Sequence, residues 1–209
     1  MQLDFSKWHP IATTTDLPKR HVFHAQLLGR ELAVWRADEG NVNVWENRCL
    51  HRGVRLSIGI NEGSELKCQY HGWRYANRTA GCTYIPAHPA DAPASTICNK
   101  TYECIEKYGL IWTCEKPTNK IIHLKELKEL TVLRSIPINS SFEKIFKFLQ
   151  KNGVPLHTIM TKSNKEVLYF KKKSSHELYL FIQPQDSNLS VIRGLINIKI
   201  APDKKIDTL

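Results

Sequence analysis

Between Cys49 and Trp73 the chain twice places a thiol and an imidazole within a few residues of each other, each time ahead of a glycine. The first set is Cys49-Leu50-His51-Arg52-Gly53 and the second is Cys68-Gln69-Tyr70-His71-Gly72-Trp73, with Val54 to Lys67 between them. A lone Cys or His reads as buried filler or as a satisfied polar group. C-x-H followed by C-x-x-H is ligand spacing. The stretch therefore demands a scaffold that brings two loops face to face and holds Cys49, His51, Cys68 and His71 around metal.

Two metals fit such a set. Structural zinc sites commonly put two cysteines on one knuckle and two histidines on a helix, around one tetrahedral ion. Here each loop is mixed, so Cys49 and Cys68 can reach one iron of a [2Fe–2S] cluster while His51 and His71 reach the other. Zinc, holding the fold of a structural metal-binding module, remains the competing reading. At Cys49, His51, Arg52, Gly53, Cys68, Tyr70, His71, Gly72 and Trp73 the sequence resembles the Rieske family, in the branch found in ring-hydroxylating and O- or N-demethylating oxygenase systems. The resemblance implies a Rieske [2Fe–2S] cofactor with Cys49 and Cys68 on the buried iron and His51 and His71 on the outer one. Arg52, Arg55 and Arg74 adjoin the two loops in sequence and are expected either to line the electron exit, facing an acidic partner, or to brace the loops through hydrogen bonds.

The scaffold reads as short strands and tight turns. His21 to Leu27, Glu31 to Arg36 and Asn41 to Glu46 alternate apolar and polar residues, separated by Gly29-Arg30 and Asp38-Glu39-Gly40. Val42 and Val44 point to one face and Trp45 to the other, so strands packed on both sides are expected. His21 and His24, single on a strand, read as surface or hydrogen-bonded histidines. Glu65 to Cys68, Cys82 to Ile85, Tyr102 to Glu106 and Leu110 to Cys114 continue the pattern, with Pro86, Pro89 and Pro93 marking an irregular crossing. The expectation is an all-β Rieske domain over residues 1–118. Cys82, Cys98, Cys104 and Cys114 show no pairing pattern and read as reduced, which with the absence of any long apolar run points to the cytoplasm and away from a membrane.

Residues 119–209 change in charge. They hold 16 basic and 8 acidic side chains, against 14 and 12 in residues 1–118, so most of the net +10 lies there. No ribonucleoprotein, zinc-knuckle or recognition-helix signature accompanies Lys171-Lys172-Lys173, so nucleic acid is not the expected partner. Ser140-Ser-Phe-Glu143 suggests a capping box, and Phe142, Ile145, Phe146 and Leu149 mark one helix face before Gly153 and Pro155. Leu130 to Pro137, Glu166 to Phe170, His176 to Pro184 and Leu189 to Ile200 read as strands. The second unit is thus expected to be a small α+β domain, a helix on an antiparallel sheet, similar to a degenerate part of the oxygenase catalytic domain.

Rieske oxygenases activate oxygen at a second, mononuclear iron held by two histidines and a carboxylate. After His71 only His88, His123, His157 and His176 follow, and no two lie within five residues, so no paired-histidine helix is expected. The stretches Trp8 to Thr13, Leu17 to His24 and Asn47 to Leu56 are similar to the N-terminal Rieske region of multidomain reductases that serve caffeine and methylxanthine N-demethylases. That resemblance implies an electron carrier within an NAD(P)H-dependent oxidoreductase, with no catalytic residue of its own and a Rieske oxygenase as partner. Flavin and nicotinamide would bind reductase domains in cis, past Leu209, or in trans, because no Gly-rich nucleotide loop occurs here. A truncated oxygenase subunit is the alternative. High-potential Rieske proteins carry an extra cysteine in each loop and a serine beside the cluster. Here Val54, Tyr70 and Trp73 stand at those positions while Tyr75 keeps the family's tyrosine, which implies a low potential.

Overall fold

Two hairpins set the framework. Leu28 and Gly29 (φ 51° and 80°) turn one, and Tyr108 and Gly109 (φ 58° and 71°) turn the other, both in the left-handed pair that suits a two-residue loop between twisted strands. The computed structural model describes residues 4–116, 130–152, 156–158, 167–171 and 177–197. In the first part these form β1 (His9–Thr13), β2 (Val22–Leu27), β3 (Arg30–Arg36), β4 (Val42–Glu46), β5 (Ile60–Asn61), β6 (Glu65–Lys67), β7 (Arg74–Ala76), β8 (Cys82–Tyr84), β9 (Thr101–Lys107) and β10 (Leu110–Cys114). The second part holds β11 (Thr131–Val132), β12 (Ile136–Ile138), α1 (Phe142–Asn152), β13 (Leu156–Thr158), β14 (Val167–Lys171), β15 (Glu177–Pro184) and β16 (Ser190–Asn197).

Six strands make a base sheet in the order β1-β10-β9-β4-β3-β2, and β5-β6-β7-β8 make a smaller sheet inserted between β4 and β9. Those two strands are themselves paired, Val44 to Tyr102 and Trp45 to Thr101. β3 and β4 are buried on both faces, as their alternation predicts. Leu32, Val34 and Val44 enter one core with Ile11, Leu27 and Ile111. Ala33, Trp35 and Trp45 enter the other, with Leu56, Leu66, Tyr75, Cys49 and Cys68. The two indoles meet edge to face at 5.1 Å. The base sheet thus carries the metal loops on the apolar back of its own central strands.

β1 was not singled out by pattern. Its Pro10 argues against a central strand, and it is indeed an edge strand, paired to β10 with an irregularity between Pro10 and Ala12. The expected strand Leu130 to Pro137 is two strands, both paired to β16. Leu133 to Ser135 oppose Arg193 and Gly194, three residues against two, which is a bulge. Gly194 makes it possible, since a Cβ there would lie 2.9 Å from Leu133 Cδ1. The helix cap also differs. Ser141 gives its carbonyl to Ile145 N–H and its hydroxyl to Lys144 N–H, so Glu143 is too early to close the capping box expected from Ser140. A capping box does form elsewhere, between Thr13 and Asp16. The helix face is as expected, with Phe142 and Ile145 buried against Ile182 and Ile192. The expected helix stop at Gly153 and Pro155, the expected boundary at 118/119, and Lys172 and Lys173 lie outside the described residues.

The two units share a core. Leu110 and Trp112 on β10 pack with Tyr179, Phe181 and Leu195, and the β2–β3 turn donates Leu28 N–H to Pro184 O and Gly29 N–H to Gln185 O. Arg193 lies inside this seam, 3% exposed. Its guanidinium donates to Gln183 Oε1 (3.0 Å), Ser135 Oγ (2.7 Å) and Ile11 O (2.5 Å). Gln183 in turn donates to Gln26 O at 2.8 Å. Burial draws the Arg193 pKa down to about 10, opposed by Asp16, so the group stays charged at neutral pH. Arg193→Met should cost about 2–4 kcal/mol, because it leaves the Gln183 side chain and the Ile11 carbonyl buried without a donor. A urea midpoint unchanged from wild type would remove the seam from the list of stabilising contacts.

Candidate metal centre

Each metal loop is closed by the same pair of backbone bonds. Cys49 N–H donates to Val54 O (2.8 Å) and Gly53 N–H to Cys49 O (2.8 Å); Cys68 N–H donates to Trp73 O (2.8 Å) and Gly72 N–H to Cys68 O (3.1 Å). Gly53 and Gly72 both sit at φ 70°, where a side chain is strained and glycine is not. The loops are therefore near copies, offset only in that the histidine is two residues after Cys49 and three after Cys68. That single-residue difference is the mismatch between C-x-H and C-x-x-H.

The structure brings all four expected residues to one place. Cys49 and Cys68 are buried, 4% and 2% exposed, side by side at the floor of the loops. His51 and His71 are exposed at the tip, with their Nδ1 atoms 2.9 Å apart. Two nitrogens on one tetrahedral ion at about 2.0–2.1 Å stand about 3.3–3.4 Å apart, so a modest opening admits a metal between them. Among the described residues no three His, Cys, Asp or Glu side chains surround a single ion position; the donors form a sulfur pair and a nitrogen pair. The sulfur pair is buried and the nitrogen pair exposed.

The electrostatics agree with the donor set. Burial pushes the Cys68 thiol up, Cys49 beside it adds to the shift, and the N–H groups of Tyr70 and His71 oppose it. A thiol so placed ionises when a cation takes its charge. Tyr75, fully buried, sets its hydroxyl 3.2 Å from Cys49 Sγ and accepts Leu50 N–H at 3.2 Å; a thiolate there accepts a hydrogen bond donated by the hydroxyl. Local desolvation, then the charges of His71 and Arg52, hold His51 below its usual pKa, which favours the neutral imidazole that binds metal.

Of the three arginines that adjoin the loops, Arg55 and Arg74 take the bracing role, the alternative to lining the exit. Arg55 forks onto Glu31 at 2.5 and 3.2 Å, joined there by Arg48 at 2.7 Å. Those Arg55 bonds, with Arg48 and against partial burial, hold the Glu31 carboxyl below its usual range. Arg74 lies 3.3 Å from Glu62 and 3.7 Å from Glu65, over the Tyr84 ring. Arg52 remains exposed beside the histidines. Asn47 was overlooked: fully buried, it accepts Ser57 N–H at 2.7 Å and pins the foot of the first loop. Its place two residues before Cys49 was the available signal. His24 is exposed and lies 3.9 Å from Glu31, as expected of a surface histidine. A cleft of about 680 Å³ opens beside His51 and His71, walled by Trp73, Ile85, Pro86 and His88.

These features are those of one protein class. Residues 7–108 match the Rieske [2Fe-2S] domain, and this part of the chain belongs to that family, whose cofactor is a [2Fe–2S] cluster. Within the family the chain is 44% identical over 176 residues to the oxidoreductase NdmD of Pseudomonas putida, covering 81% of this chain and 30% of that protein. It is 39% identical over 114 residues to the methylxanthine N1-demethylase NdmA of the same organism, covering 50% of this chain and 31% of NdmA. The chain thus spans about a third or less of these curated relatives. The solved structure of Pseudomonas putida CBB5 NdmA superimposes with a TM-score of 0.79 at 21% identity, over 96% of this chain and 75% of that one, a likeness of fold.

The glycines give a direct test of the loop geometry. Gly53→Ala meets open space, so its cost is that of the left-handed backbone, about 1–2 kcal/mol. Gly72→Ala also brings a Cβ to 3.2 Å from Pro86 Cγ and should lower the thermal midpoint further than Gly53→Ala. Equal midpoints would show that the Pro86 contact does not matter.

Proposed function

We propose that this chain carries single electrons through a Rieske [2Fe–2S] cluster, as part of an NAD(P)H-dependent reductase that supplies a Rieske non-haem iron oxygenase of the N-demethylase type. The observation that carries the reading is the divided donor set, buried Cys49 and Cys68 below and exposed His51 and His71 above. In this assignment Cys49 and Cys68 hold the inner iron and His51 and His71 the outer one. A cluster bound there takes up and releases one electron at a time. The residues around it do the rest. Tyr75 and the N–H groups of Tyr70 and His71 direct hydrogen bonds at the sulfurs, Glu31 and Asn47 hold the first loop, and Arg52 offers positive charge beside the exit.

The reductase assignment is supported by the extent of the similarity, which to NdmD runs over 81% of the chain and to NdmA over 50%. In our reading residues 1–118 are the Rieske domain and residues 119–209 an α+β domain packed on it. Flavin and nicotinamide belong to further reductase domains in cis or trans. We place the protein in the cytoplasm: its six cysteines are free, and among the described residues no helix is long and apolar enough to cross a membrane.

Purified protein should be brown and, once reduced, give a Rieske electron paramagnetic resonance signal that His71→Ala abolishes. A colourless zinc-loaded protein, or a signal that survives His71→Ala, would sink the assignment. The midpoint should lie below zero, in the lower part of the family range of about −150 to +300 mV. Tyr75→Phe should lower it further, because the hydroxyl at Cys49 Sγ stabilises the added electron. A positive midpoint in the unmodified protein would remove it from an oxygenase system.

A further inference from the structure

Three residues read from sequence as losses at the site, Val54, Tyr70 and Trp73, do not leave the loops unbraced. Two of them are large rings, and each lies on a histidine. Trp73 belongs to the second loop yet stacks on His51 of the first, with ring planes 3° apart and centroids 5.0 Å apart. Tyr70 stacks on its neighbour His71 at 3.9 Å and 29°. The two imidazoles meet at 4.7 Å between centroids, so the four rings run continuously as Trp73, His51, His71, Tyr70.

We propose that Trp73 and Tyr70 are positioning residues that hold the two imidazoles at their ligating angle, with Trp73 stitching the second loop to the first where no covalent link joins them. The proposal rests on the assignment of His51 and His71 as ligands. An imidazole fixed at one nitrogen is still free to turn about that bond and about its own side-chain torsions, and a parallel ring in contact removes that freedom. Trp73 suits the task because it is anchored. Its side chain packs on the core that holds Cys49, Cys68 and Tyr75, and its carbonyl closes its own loop onto Cys68 N–H at 2.8 Å. The equivalent place in the first loop is Val54, which packs into the same core and presents no ring to His71. His71 therefore takes its brace from Tyr70, whose 61% exposure shows that the ring serves the tip and not the core.

The test compares Trp73→Phe, Trp73→Leu and Tyr70→Leu in the full chain, with His71→Ala as the control for ligand assignment. Both leucine variants should keep the far-ultraviolet dichroism of wild type. They should show shifted g-values and nitrogen hyperfine couplings in the reduced state, an altered midpoint, and cluster bleaching about two- to twelvefold faster, the range for losing one aromatic pair. Trp73→Phe, which keeps a ring, should return most of the way to wild type. Wild-type spectra and bleaching in both leucine variants would overturn the proposal, as would Trp73→Phe behaving like Trp73→Leu. If Trp73→Leu fails to fold, exposed Tyr70→Leu decides by itself. A Rieske signal that persists in His71→Ala would instead overturn the ligand assignment, a failure separable from that of the brace.

Discussion

The site depends on two short backbone bonds, from Cys49 N–H to Val54 O and from Cys68 N–H to Trp73 O. Each closes a tight loop through a left-handed glycine and turns a sulfur inward while a ring points out. Once both loops are closed, the separation of donors follows from the chain itself. Sulfur lies on the core of Trp35, Trp45 and Leu66, and nitrogen lies at the solvent edge. Backbone geometry thus sets which side of the loops carries sulfur and which carries nitrogen.

The convergence of Cys49, His51, Cys68 and His71 was legible because it is local: the four side chains and two glycines lie within a short stretch, and their types admit few readings. The two-sided burial of β3 and β4 was legible for the same reason, since Val44 and Trp45 are neighbours on opposite faces of one strand. What escaped the sequence depends on distant partners. Nothing near Arg193 announces that it meets Ile11 and Ser135 across a seam. Pro10 hid β1, because an edge strand tolerates what a central strand rejects. Two adjacent serines both satisfied the cap rule, and the first helical hydrogen bond chose Ser141. The stacking of Trp73 on His51 was out of reach as well, since spacing shows which residues are adjacent in a loop but not which ring crosses to the other one.

The seam joins the two units more firmly than a linker would. Trp112 meets Phe181 edge to face at 5.1 Å, and a buried cation is satisfied from both sides. Breaking such a contact exposes aromatic surface and strands a charge together, so the units are expected to move as one.

The insertion of β5 to β8 between two paired strands has a consequence for assembly. Because β4 and β9 lie side by side, the stretch that carries Cys49, His51, Cys68 and His71 leaves the base sheet and returns to it at neighbouring points. The entropy of closing that long excursion is offset by the scaffold's own strand pairing. The two ends of the excursion are thus anchored by the sheet itself, so a change within either loop leaves the points where the chain departs and returns in place.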